Sequence, residues 1–127
     1  SNNTLNMFSD MNFICLAHKG NLRSATAVSA RQALKMATET GAKALGFDNT
    51  GILTEGYAAD LTIMDMKYPS LQPTNDPVAA MCYSASGYEV ESVMVDGEFL
   101  MENREIKGMD EERIYFECNK AMKRIDG

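Results

Sequence analysis

The sequence predicts an α+β chain, and three observations carry that prediction. Apolar residues recur at helical spacing near both ends of the chain. The period shortens to that of strands after Asp48-Asn49-Thr50-Gly51, and an Asp-Gly pair sits between two β-rich runs further on. A length of 127 residues suits one compact domain, for which roughly 100–200 residues is usual.

Leu5, Phe8, Met11, Cys15 and Leu16 predict a first helix over 5–19, with Asn3 or Thr4 as its cap and Gly20 as a left-handed stop. Residues 21–28 have no clear period and read as a connection. Ser29-Ala30-Arg31-Gln32 matches a capping box, because Gln32 can reach back to the Ser29 amide. Ala30, Ala33, Leu34 and Ala37 then share one face, predicting a second helix to about Glu39. Gly41 is placed to end it, and 42–45 to add one more turn before Gly46. An inner face built of alanine lets a helix approach its neighbour closely, so this segment is a packing surface.

Gly51-Ile52-Leu53 reads as a short extended piece and Glu55-Gly56 as a turn. Leu61-Thr62-Ile63-Met64 reads as a strand covered on both faces, since apolar side chains fall on each. Pro69 and Pro73 bracket a loop. Asp76-Pro77 is a helix start, with Asp as N-cap and Pro at the first helical position, so 78–83 should be a short helix. Residues 84–89 turn the chain. Val90 to Val95 and Phe99 to Met101 then flank Asp96-Gly97, the strongest hairpin signal present. Asn103-Arg104 makes another turn before Ile106. Asp110 caps a last helix with Glu111 and Glu112 in its first turn, apolar residues at 114, 118, 121, 122 and 125, and Lys123 and Arg124 near its end. The strands are too few to close a sandwich unaided; such a sheet needs another layer or more strands.

Composition narrows the function classes. Lys and Arg number 12 against 18 Asp and Glu, a net charge of −6 without basic clusters. That leaves no electrostatic footprint for a phosphate backbone, so nucleic acid is not an expected partner. No apolar run reaches the ~20 residues of a membrane helix, and no basic stretch followed by an apolar one opens the chain. Cys15, Cys82 and Cys118 are odd in number and far apart, which argues for small core residues in a reducing, cytoplasmic compartment. Ser1-Asn2 stands where an initiator Met would be; it reads as a tag remnant or as sequence native to a longer chain.

A search for chemistry finds little. A metal-dependent hydrolase needs several His and carboxylate ligands around an open coordination position, and His18 is the sole histidine. Cys15 and His18, three apart on one helix, could touch one ion or form a thiol–imidazole pair. The plainer expectation is a core cysteine and a surface histidine. No Gly-x-Ser-x-Gly elbow and no phosphate-cradling glycine loop occurs. Asp60, Asp65 and Asp76 are isolated at element ends; Asp76 is a cap, and Asp60 is expected to fix a turn by accepting backbone amides.

Four blocks carry a family resemblance. Lys35-Met36-Ala37-Thr38-Glu39-Thr40-Gly41-Ala42-Lys43-Ala44-Leu45-Gly46 resembles the helix before the C-terminal strands of cytosine-deaminase-like, metal-dependent amidohydrolases. The block from Gly51 through Ala58-Ala59-Asp60-Leu61 to Asp65 resembles the next part of that family, and the hairpin from Val93 to Asn103 its last sandwich strands. Ser1 to Phe8 is similar to the segment just after a metal-binding Asp on the eighth barrel strand. Within the superfamily the chain looks closest to the 5-methylthioadenosine/S-adenosylhomocysteine deaminase and chlorohydrolase group. The resemblance makes Ser1-Asn2-Asn3 native sequence of a longer chain.

The resemblance implies an α+β fragment. Residues 1–47 would be the last helices of a (β/α)8 barrel, 48–109 the C-terminal part of a small composite β-sandwich with a short helix, and 110–127 a terminal helix. In such enzymes a Zn or Fe ion held by His and Asp residues activates water for attack on a purine, pyrimidine or triazine-like ring, displacing ammonia or chloride. Those ligands would lie upstream, so no metal or catalytic residue carries over and no cofactor is expected in this chain. Only Ser1, Asn2 and Asn3 transfer, as residues bordering the active-site mouth; from the residues alone they are a loop and helix cap. The expected partners are the upstream barrel and further copies of the chain, because uncovered helix faces and strand edges favour homo-oligomers. The alternative is a stand-alone, non-catalytic binding or assembly module.

Overall fold

The computed structural model describes residues 4–125, and three of its helices pack around a small sulfur-rich core. α1 (Met7–Leu22) and α2 (Ala30–Lys35) meet α4 (Pro77–Ser84). Met11, Cys15, Val28, Ala33 and Cys82 are buried between them, with Phe8, Leu34 and Met81 packed around. Ala33 and Cys82 are small enough to let α2 and α4 approach closely, and the Cys82 thiol donates to the Ala30 carbonyl at 3.3 Å.

The capping box at Ser29 forms in full: Gln32 N–H donates to Ser29 Oγ at 3.3 Å, and Ser29 N–H donates to Gln32 Oε1 at 2.9 Å. The helix it starts runs further than Gly41. After Lys35 it widens into a π turn over Met36–Thr40 and continues as α3 (Gly41–Ala44). Glu39 bridges the turn, 3.3 Å from Lys35 and 2.8 Å from Lys43. The left-handed stop is Gly46, at φ +84. Gly41 stays helical because one glycine costs only about 1 kcal/mol there.

α1 also differs from expectation at both ends. Its cap is Asn6, which accepts from Phe8 N–H at 3.0 Å and Ser9 N–H at 3.2 Å. Helix α1 passes through Gly20, and Arg23 takes the left-handed position at φ +47. The tertiary bond from Asn6 Nδ2 to the Ser86 carbonyl, 2.8 Å, selects that cap over Thr4. Asn3 lies outside the described residues.

The predicted extended piece at 51–53 is not a strand. Gly51 sits at φ +81 with its Cα against the π turn, where a Cβ would come within 2.9 Å of the Thr38 oxygen and the Glu39 Cα. Only glycine satisfies both constraints.

The strands form one antiparallel sheet in the order β1-β2-β3-β4: β1 (Leu61–Met64), β2 (Val90–Val95), β3 (Glu98–Glu102) and β4 (Glu105–Ile106). Leu61 lies opposite Met94, Val93 opposite Met101, and Met101 opposite Ile106. Asp96 and Gly97 both have positive φ, 49 and 82, as a two-residue turn matched to strand twist requires. Asp60 Oδ1 accepts the Asp96 N–H at 2.8 Å and Ala59 O accepts from Gly97 at 3.2 Å. Asp60 therefore fixes a turn as expected, though one 36 residues away. β1 is an edge strand and is not covered on both faces: Ile63 is 43% exposed, since no described layer lies over it.

Asp76 caps α4 through Val78 and Ala79, and Asp110 caps α5 (Glu111–Ile125) through Arg113. No residue of α5 is buried. Among the described residues no helix is long and apolar enough to cross a membrane. The accessible surface is 9659 Å², whereas a folded chain of 14.0 kDa ordinarily exposes about 6,700 Å².

Replacing Gly51 by Ala should lower stability by about 2–4 kcal/mol, combining a positive-φ penalty with a backbone clash. Urea unfolding followed by circular dichroism measures it; an unchanged midpoint would show that the π turn does not depend on Gly51.

Candidate functional site

The entry into α1 is the best-built polar region of the molecule. Glu89, in the turn just before β2, is fully buried. Its carboxylate accepts from Ser70 Oγ at 2.5 Å, from the amides of Ser86 and Gly87 at 2.9 Å each, and from Ser86 Oγ at 3.3 Å. Its own carbonyl accepts the Asp65 N–H at 2.8 Å. The side chain thus ties the 3-10 turn Pro69–Leu71 to the loop before β2, and the main-chain carbonyl of the same residue holds the end of β1. Burial pushes the carboxyl pKa up, but Ser70 and the amides of Ser86, Glu89 and Gly87 pull it below the ordinary value, to about 2.

The loop so held carries α1. Ser86 O receives the Asn6 side chain at 2.8 Å, and Phe8 stands 3.7 Å from where a Gly87 Cβ would be. Leu5, just before the cap, is left-handed at φ +44 and 90% exposed. Glu89 thus fixes the start of α1 through Ser86 and Asn6. Ser1, Asn2 and Asn3, the expected bordering residues, lie outside the described residues. Glu89 itself was missed, because Ser84 to Glu89 reads only as a turn. The signal present was Ser86-Gly87-Tyr88-Glu89, whose spacing lets a carboxylate reach back to the amide three residues earlier.

The other candidates do not converge. Cys15 is buried in the helical core, while His18 is exposed. No three His, Cys, Asp or Glu residues group as metal ligands among the described residues. A thiol shut in an apolar core and an imidazole in solvent do not suit a catalytic metal ion, and the same separation disposes of the thiol–imidazole pair. Cys15, Cys82 and Cys118 are all free; burial pushes the Cys82 thiol up, helped by Cys15 and Asp76.

What the chain does present is an open apolar groove of about 730 Å³ between the helices and the sheet. Met7, Met11, Ile14, Met36, Leu61 and Met94 are among the side chains lining it. Phe13 and Leu45, also in its lining, are 70% and 77% exposed. Exposed apolar surface of this extent marks an interaction site or a ligand groove.

The profile of the amidohydrolase family matches residues 1–100. The chain belongs to the amidohydrolase family. It is 48% identical over 126 residues to a 5-methylthioadenosine/S-adenosylhomocysteine deaminase of Acetivibrio thermocellus, a match covering 98% of this chain and 29% of that amidohydrolase. A 5'-deoxyadenosine deaminase of Methanosarcina mazei is 42% identical over 125 residues, again 98% of this chain and 29% of the relative. The chain thus spans under a third of the length of these curated relatives. Among solved structures, an adenosine deaminase from Xanthomonas campestris with bound zinc superposes with a TM-score of 0.89 at 30% identity, over 94% of this chain and 28% of that one. An atrazine chlorohydrolase from Arthrobacter aurescens, complexed with zinc, gives 0.80 at 29% identity over 89% and 25%.

Because the pKa of Glu89 is depressed on folding, its contribution is present above about pH 4.5 and is lost as the pH falls toward 2. The loss should amount to about 2–3 kcal/mol. Glu89→Gln should flatten this acid slope and lower stability at neutral pH by a similar amount. Unfolding midpoints from pH 2 to 7 test it; parallel curves for the two proteins would refute the assignment.

Proposed function

We propose that this chain is the C-terminal part of a metal-dependent amidohydrolase and has no catalytic activity of its own. The observation that carries the reading is the alignment of 98% of the chain with 29% of a 5-methylthioadenosine/S-adenosylhomocysteine deaminase. In the longer protein the reaction would be hydrolysis of a C–N or C–Cl bond on a purine, pyrimidine or triazine-like ring. Deamination of an adenine nucleoside is the form the 48% and 42% identical relatives support. The resident metal of that protein would be zinc in preference to iron, as zinc accompanies the adenosine deaminase and chlorohydrolase structures. No ligand set for it exists among the described residues.

On this reading α1–α3 are the closing helices of a (β/α)8 barrel and the four-stranded sheet is part of a composite sandwich. The divisions would be 1–47, 48–109 and 110–127. The partner of the apolar groove is then the upstream barrel. Two observations support this: the groove itself, and a surface roughly 3,000 Å² in excess of that expected for a self-sufficient fold of this mass. A cytoplasmic site of action is supported by the free cysteines.

The chain supplied with zinc should release no ammonia from 5-methylthioadenosine, S-adenosylhomocysteine or 5'-deoxyadenosine in a coupled assay, and ammonia release would overturn the reading. A reading frame upstream of Ser1 that encodes His-x-His and ends in a metal-binding Asp supports it. A start codon at Ser1 would favour the stand-alone module.

A further inference from the structure

The last helix carries a seam that no described residue covers. Ile114 is 42% and Ile125 78% exposed, and Cys118 is open to solvent. Ile114, Cys118, Ala121 and Ile125 follow one another at spacings of four, three and four. That alternation keeps one row of side chains facing a single partner helix. The charges along α5 are sorted by sign, and Glu117 and Arg124 flank the row. Glu111, Glu112 and Glu117 lie in the first half of α5 and Lys120, Lys123 and Arg124 in the second, with Arg113 the one exception. A helix so divided is complementary to its own antiparallel image, and antiparallel dipoles add to the preference.

We infer that α5 is a self-association surface on which two copies of this chain pair antiparallel, about a twofold axis between Cys118 and Ala121. In that register Ile114 lies over the partner's Ile125 and Cys118 over the partner's Ala121. Tyr115 flanks the partner's Met122 on one side of the seam. On the other side Glu117 faces the partner's Arg124, and the symmetry makes that pair twice. A parallel pairing would set Glu117 beside the partner's Met122 and bring the acidic halves together. A helix pair of this length buries well under the roughly 1,600 Å² of a standard interface, so the dimer is weak and salt-sensitive. This surface is distinct from the groove assigned to the upstream barrel, and its test is independent of the ammonia assay.

The two charges allow a decisive experiment on the chain as it stands. Glu117→Arg and Arg124→Glu each turn both cross-pairs from attractive to repulsive. Each should weaken self-association roughly tenfold by sedimentation equilibrium at low salt. Mixing the two variants should restore a heterodimer of wild-type strength, because each cross-pair is again opposite in sign. Both residues are exposed on α5, so circular dichroism should show unchanged folding. A wild-type chain that stays monomeric to millimolar concentration overturns the inference. So do single variants that associate as the wild type does, and a mixture that fails to form the heterodimer.

Discussion

A buried carboxylate with no described residue of opposite charge beside it holds the two layers of this chain together. Glu89 is satisfied by two backbone amides and two hydroxyls rather than by a cation. Such a set favours the ionised form strongly enough to overcome burial. The helices share one small core, and the sheet contributes little to it. Their connection runs through the loop that Glu89 organises, from Ser70 through Ser86 and Gly87 to Asn6 and the start of α1. Removing the carboxylate would leave several donors unpaired in a buried place, a larger loss than any single surface interaction.

A second constraint acts on the other side of the groove. The π turn at Met36–Thr40 shifts the helix register by a fraction of a turn, and the backbone of Gly51 rests directly on it. Asp60 then anchors the hairpin tip by its Asp96 amide. The groove is therefore bounded by elements locked through backbone contacts. That rigidity suits a surface presented to another layer, because a preformed face loses little entropy on being covered.

Under the proposed function, the exposed apolar surface and the short match to the relatives have one explanation. The chain spans 29% of the length of a deaminase relative, and on that reading the rest of a longer protein would cover what is exposed here. The sheet edge at β1, Phe13 and Leu45 on the helices, and the groove are unfinished in the same sense. α5 differs from them, since its charge sorting is the basis of the proposed pairing with a second copy.

Much of the secondary structure was legible from local chemistry: the Ser29 capping box, the Asp76-Pro77 start, the Asp96-Gly97 hairpin and the Asp110 cap are each decided by residues within a few positions. Family membership was legible too, since it rests on blocks of sequence. What local chemistry could not decide was anything set by distant partners. Asn6 displaced Thr4 as cap because Ser86 lies 80 residues away to receive its amide. The helix ran past Gly41 as a π turn, with Gly51 close against it, and Ile63 stayed exposed because no described layer reaches it. The burial of Glu89 belongs to the same class: a turn residue by sequence, it became the hub only once folding brought Ser70 and the Ser86-Gly87 amides around it. Local signals are strong where a donor and its acceptor are neighbours in the chain, and silent where tertiary structure supplies the partner.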